Sequence, residues 1–430
     1  MDRRHLLMAL VSGAGVVGMA GMEAWAQPQA AGQRGEGGGG RERRGRGKGQ
    51  RYSLEQALSD PAQLHTMAFS GLAFLTGTFE SDTFLPPGKV SDYFGFQYLR
   101  DVDQAEGGHR QDFLTRVAYF VLNHLRPAQR ELLVRQAQAH EAPARAFALA
   151  RLPLMKAFRH HLADGRALDA AAVKAHSAKL YELDGQIALE RARVMARVLL
   201  DMDTPQQQAW APLRHGDSST WPETPEPPDR RNWRHEQDVL VMTLASEMFA
   251  WHKGSLEADV YFCPERHGMY FGAFGLKTAP ALGRQDYAIS TALTGDVGTD
   301  FLSTLEGGQA QPLREVLEAQ RPWLQEIVQL RRQVAMQLRR ELAGQESAAQ
   351  DVRQASARYG ELDGQLSMAY AQAFAQVARS LSPGQWARLR EIRRLATPVQ
   401  APAGPFLYAD PLPRQDWPSA AAVAALMKAS

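Results

Sequence analysis

The chain has 430 residues, 44% of them hydrophobic, with 49 Lys or Arg, 47 Asp or Glu and a single cysteine. That length and apolar content exclude an intrinsically disordered chain, and one cysteine excludes an internal disulfide. Residues 1–52 hold nine of the basic side chains and four of the acidic ones. The remaining body is slightly acidic and lacks the basic face by which nucleic-acid binders displace counterions.

The first 26 residues read as an export signal. Arg3 and Arg4 precede a mildly apolar run, and Ala24-Trp25-Ala26 offers a small-residue cleavage site. An arginine pair before a Gly/Ala-rich segment resembles a twin-arginine signal and predicts a periplasmic or otherwise exported protein. No later stretch approaches the ~20 apolar residues of a membrane span, so no transmembrane anchor is expected after cleavage. Residues 27–52, rich in Gly and Arg, form a tether with almost nothing to bury.

Residues 53–215 make a first repeat, with a loop insert at 69–111 and a helical unit at 112–215. Leu180, Leu183, Ile187, Val194 and Val198 are spaced as one helical stripe. A proline-rich linker covers 216–237, where GDSSTWPETPEPPDRR forbids a regular element. Residues 238–395 make a second repeat, with a loop insert at 260–299 and a helical unit at 300–395, where Leu317, Ile327, Leu330, Val334 and Leu338 recur at helical spacing. A proline-rich tail runs from 396 to 430. The predicted fold is mainly α: two repeated helical-hairpin units, a pseudo-dimer in one chain, each preceded by an aromatic, Gly-rich loop insert.

The repeat is written most plainly in ELDGQ, at Glu182–Gln186 and again at Glu361–Gln365. Residues 182–210 slide onto 361–389 without a gap at an offset of 179, and Leu125–Leu132 falls near Leu305–Leu313 at 180. Four L-x-x-x-Q-like turns follow: Leu125/Gln129, Met202/Gln206, Leu305/Gln309 and Leu381/Gln385. They read as helix starts. In LSPGQW, Ser382 is placed to cap the amide of Gln385, Pro383 occupies the first helical position, and Gln385 can reach back to close a capping box. Gly185 and Gly364 predict a close helix crossing covered by Tyr181 and Tyr359. Glu182/Asp184 and Glu361/Asp363, two residues apart, do not face each other on a helix and predict no paired acid–base role.

The four turns, with a long helical hairpin inside each half, resemble the Spy/CpxP group of periplasmic proteins, whose hallmark is an L-T-x-x-Q motif used twice per chain. None of the four copies here is a strict L-T-x-x-Q. The resemblance covers about residues 112–215 and 300–395. It implies small helical units that pair into a concave cradle and act as ATP-independent chaperones or envelope-stress modulators; related proteins bind or sense metal ions. The partners it implies are unfolded or envelope proteins. One chain would supply both units, as a monomer with an internal pseudo-dimer or as a homo-oligomer.

The inserts lie outside that resemblance. They share YFG-x-x-x-L and a cation, Tyr93-Phe94-Gly95 with Leu99-Arg100 and Tyr270-Phe271-Gly272 with Leu276-Lys277, while a rival alignment matches Asp92-Tyr93 to Asp286-Tyr287. Aromatics and glycines at this density predict ordered loops, with or without short strands. Phe94, Phe96, Tyr98, Tyr270, Phe271 and Phe274 are the binding-loop candidates; the alternative is that they pin the loops onto the helices.

Cys263, His267 and Met269 cluster in CPERHGM, with His252 upstream. Thiolate, imidazole and thioether are ligands suited to copper or another soft metal. A buried free cysteine beside a surface histidine is the plainer reading, and no cofactor is predicted outright. His140, His160, His161 and His176 read as solvated or capping histidines. No Walker, G-x-G-x-x-G, H-E-x-x-H or G-x-S-x-G signature is present, so no enzyme class is indicated. The expectation is an exported helical binding protein, chaperone-like or stress-related and without catalysis of its own. The alternative is an exported metal-binding or redox protein with a site around Cys263 and His267.

Overall fold

The computed structural model describes residues 60–76, 84–85, 89–90, 112–214, 224–253, 278–280, 288–290, 297–396, 421 and 424–425. The signal, the tether, most of both inserts and most of the tail lie outside the described residues. The chain is mainly helical. In order it forms α1 (Asp60–Thr76), β1 (Phe84–Leu85), β2 (Lys89–Val90), α2 (Asp112–His124), α3 (Pro127–Asp164), α4 (Ala170–Leu200) and α5 (Thr204–Trp210). Then come α6 (His235–Lys253), β3 (Thr278–Pro280), β4 (Ala288–Ser290), α7 (Val297–Thr304), α8 (Gln311–Leu342), α9 (Ala349–Ser380) and α10 (Pro383–Ala396). The only strands among the described residues are two short antiparallel ribbons, β1–β2 and β3–β4, one in each insert.

Three boundaries need correction. The insert expected at 69–111 begins later, because Phe69–Thr76 is the second half of α1. Its Gly and aromatic residues read as loop, but the helix is largely buried and Gly71 sits where a methyl group would strike the Phe374 and Phe301 rings. The linker expected at 216–237 ends in a short 3-10 turn, Pro228–Asn232, and residues 235–237 already belong to α6. The second insert, expected to end at 299, gives its last three residues to α7.

The long helices begin and end where their chemistry allows. Asp169 caps α4 by accepting from the amides of Ala171 (2.9 Å) and Ala172 (3.1 Å). Gly165, at φ 77°, closes α3 in the left-handed conformation that costs a glycine nothing.

Hairpins α3–α4 and α8–α9 meet through α4 and α9, the most extensive helix–helix contact in the molecule. Both ELDGQ copies lie on it. A methyl group at Gly185 would strike Ser356 and approach the Val352 carbonyl; one at Gly364 would meet Ser177 (2.8 Å) and the Val173 carbonyl (3.2 Å). Each contact is the other displaced by 179 residues. Between them Gly360 abuts the Ser177 carbonyl and Tyr181, and the Tyr181 and Tyr359 rings pack edge to face at 4.7 Å. An aromatic pair of that geometry adds ~0.5–1.5 kcal/mol beyond its buried area.

The helix ahead of each hairpin packs on the other half. α1 packs on α7, α8, α9 and α10, all far downstream, whereas α6 packs on α2 and α3, both upstream. Phe74 of α1 lies 5.8 Å from Phe374, and Phe249 of α6 lies 6.3 Å from Phe120. One continuous apolar core results, running from Met67 through Trp210 and Phe249 to Ile392.

Candidate functional site

Each L-x-x-x-Q turn starts a helical segment, and in all four the glutamine Oε1 accepts from the backbone amide three residues before it. The donors are Arg126 (2.9 Å), Asp203 (3.1 Å), Glu306 (2.8 Å) and Ser382 (2.9 Å). Two turns add the reciprocal cap: Asp203 Oδ1 accepts from the Gln206 amide (2.9 Å) and Ser382 Oγ from the Gln385 amide (3.2 Å).

The other end of each amide crosses to a second turn. Gln206 Nε2 donates to Gln129 Oε1 (2.7 Å) and to the His124 carbonyl that ends α2 (2.6 Å). Gln385 Nε2 donates to Gln309 Oε1 (2.7 Å) and to the Thr304 carbonyl that ends α7 (2.8 Å). In return Gln129 Nε2 reaches the Asp201 carbonyl (3.1 Å) and Gln309 Nε2 the Ser380 carbonyl (2.6 Å). The four turns therefore pair two by two through the same bonds. Arg126 adds a bond to the Asp201 side chain (2.5 Å), which holds that carboxyl below its usual range. These side chains are neutral amides with their polar atoms engaged, and they supply no nucleophile or base.

A second repeated feature lies deeper. In the second half Gln320 of α8 is fully buried; it donates to Gln63 Oε1 of α1 (3.1 Å) and accepts from the Tyr370 hydroxyl of α9 (2.8 Å). Burial drives the Tyr370 phenol well above its ordinary pKa, with the Gln320 bond offsetting part of the rise. In the first half the matching positions are His140 of α3 and Arg191 of α4, displaced by 180 and 179 residues. Arg191, 3% exposed, places Nη1 3.0 and 2.8 Å from the two carboxylate oxygens of Glu247 on α6. His140, 1% exposed, donates from Nε2 to Glu190 (3.0 Å), with the Gln136 amide 2.5 Å from the same nitrogen. Its Nδ1 is buried and has no hydrogen-bond partner among the described residues. Desolvation, with Arg191 nearby, lowers the imidazole pKa to about 4, and Glu190 opposes that shift. Two three-helix junctions thus occupy corresponding places, one uncharged and one built of ions.

Of the metal-ligand candidates, only His252 lies among the described residues. Its Nε2 donates to the Trp210 carbonyl (2.9 Å) and its ring packs edge-on to Trp210 at 5.1 Å, fastening α6 to α5. Cys263, His267 and Met269 lie outside the described residues, as do Phe94, Phe96, Tyr98, Tyr270, Phe271 and Phe274. Among the described residues no group of three or more His, Cys, Asp or Glu is arranged to hold a metal ion.

The remaining histidines answer individually. His161 Nδ1 lies 2.5 Å from the Arg166 carbonyl and His176 Nε2 2.5 Å from the Ala150 carbonyl, so both tie backbone. His140 departs from expectation: it is neither solvated nor capping. The alternation of Gln136, His140, Glu190 and Arg191 among apolar stripe positions carried the only trace of the junction.

No protein-family model, no curated protein and no solved structure matches the chain.

Proposed function

We propose that this chain is an exported helical binding protein with chaperone-like action, in which two Spy/CpxP-like units fused in tandem form one internal pseudo-dimer. The observation that carries this reading is the pairing of the four L-x-x-x-Q turns. The glutamines on which the resemblance rests make the same cross-turn bonds in each half, at offsets of 180 and 179. The reciprocal Gly185–Ser356 and Gly364–Ser177 contacts support the duplication from a separate surface, because a self-complementary interface repeats each contact about its axis. The leader with Arg3 and Arg4 supports export, and no helix among the described residues is long and apolar enough to cross a membrane. Clients would be unfolded or envelope proteins held by shape and apolar contact without chemistry.

The test is suppression of aggregation of a thermally unfolded client by the exported, tag-free protein, with and without EDTA. Suppression that survives EDTA and Cys263→Ser is expected. Absence of suppression sinks the chaperone reading. Stoichiometric metal that disappears in Cys263→Ser would instead place the function at the alternative site of Cys263, His267, His252 and Met269.

A further inference from the structure

The two junctions hold equivalent helices by different chemistry. Gln63, Gln320 and Tyr370 join α1 to the second hairpin with neutral groups that do not change charge in the acid range. Glu247, Arg191, His140 and Glu190 join α6 to the first hairpin and include an imidazole. We propose that the His140 junction is an acid-responsive latch, which holds α6 on the first hairpin at neutral pH and lets it go on acidification, while the Gln320 junction keeps α1 in place. The proposal concerns regulation of the fold and stands independently of the chaperone reading.

The geometry gives the reason. His140 already commits its Nε2 hydrogen to Glu190, so an added proton must sit on Nδ1. That nitrogen is buried with no acceptor among the described residues, and a buried donor without a partner is costly. The new charge would also face the Arg191 guanidinium of α4, which is already committed to Glu247 of α6. Glu190 is the one carboxylate that opposes the effect. α9, also packed on α3, brings no ionisable group among the described residues to bear on His140. The other polar ties of α6 are built differently. Arg230–Asp238 (2.7 Å) and Arg234–Glu141 (2.6 Å) hold its first turn without an imidazole, and His252 donates to a carbonyl, a bond that protonation leaves intact.

The sign follows from the neutral, buried imidazole. Its folded pKa of about 4 lies below the unfolded value of 6.5, so its contribution is fully present above 6.5 and is lost as pH falls from 6.5 towards 4. Release would uncover the buried face of α6, including Leu240, Leu244, Met248 and Phe249.

Hydrogen–deuterium exchange of the full chain at pH 7 and pH 4.5, corrected for intrinsic rates, compares α6 with α1 in one sample. Opening of α6 is expected to rise about fifty-fold relative to α1. His140→Gln, which installs the residue of the second hairpin and retains both carboxylates, is expected to abolish the difference. Parallel changes in α6 and α1, or an undiminished difference in the variant, would overturn the proposal. Should the variant fail to fold, NMR titration of the wild-type imidazole decides: a midpoint near 6.5 overturns the latch, and one depressed towards 4 supports it.

Discussion

The side-chain amides of Gln129 and Gln206 face each other across two turns, with Gln206 Nε2 2.7 Å from Gln129 Oε1, although 77 residues separate them. Each glutamine caps its own helical segment at one end and the other's turn at the opposite end, so one side chain serves both local and tertiary structure. Gln206→Leu removes the cap at Asp203, the bond to Gln129 and the partner of the His124 carbonyl at once. A loss of about 2–4 kcal/mol is expected from urea unfolding, combining a lost cap with an orphaned buried acceptor. In a double-mutant cycle with Gln129→Leu the two losses should be clearly non-additive.

Gly360 allows α9 to lie against the backbone of α4. A methyl group there would collide with the Ser177 carbonyl and come within 2.8 Å of Tyr181 Cβ. Neither neighbour can turn away, because one is backbone and the other is the root of a buried side chain. Gly360→Ala should destabilise by roughly 1–3 kcal/mol, the range for overpacking, in spite of alanine's better helix propensity. Gly308→Ala, where a methyl group meets nothing within 4 Å, is the control and should stay near neutral in the same thermal melts.

Breaking the Arg191–Glu247 pair from one side should cost far more than deleting it. Arg191→Leu leaves the Glu247 carboxylate, with only 16% of its side chain exposed, facing an apolar neighbour. About 3–5 kcal/mol is expected, as for other buried pairs cut on one side. Adding Glu247→Leu should recover a large part of that loss. Equal instability of the single and double variants would mean that the pair is not what sets the stability of this junction.

In the second half the matching test is Tyr370→Phe, which removes one oxygen and leaves Gln320 Oε1 without its 2.8 Å donor. A loss of about 1–3 kcal/mol is expected, with no pH dependence between pH 7 and 4.5. The same measurement on wild type should show the His140 contribution, on the order of 3 kcal/mol, disappearing over that window.

The helices, their starts and the α4–α9 crossing were legible because each rests on local signals: stripes at helical spacing, caps at fixed offsets, and glycines doubled in ELDGQ. What stayed hidden is non-local. Nothing near Gln129 says that its amide reaches Asp201 and Gln206. His140 looked solvated because an imidazole between Ala139 and Glu141 gives no local sign of burial; the partners that bury it lie on α4 and α6. Phe69–Thr76 read as a loop because its glycine and aromatics break an amphipathic pattern, yet a helix apolar on every side has no such pattern to show. The inserts' candidate residues lie outside the described residues, so the aromatic and CPERHGM readings keep the standing they had as sequence.

The crossing over of α1 and α6 also fixes an order of events on the ribosome. α1 is among the first helices synthesised, but α7, against which it packs, begins more than two hundred residues later. At ~5–20 residues per second its apolar face waits on the order of ten seconds or more for a partner. The first hairpin likewise stays unfinished until α6 emerges. Neither half can be completed as it is made, so separately expressed halves should each be deficient in a helix. The polypeptide reaches its final form only near the end of synthesis, as a single knitted body.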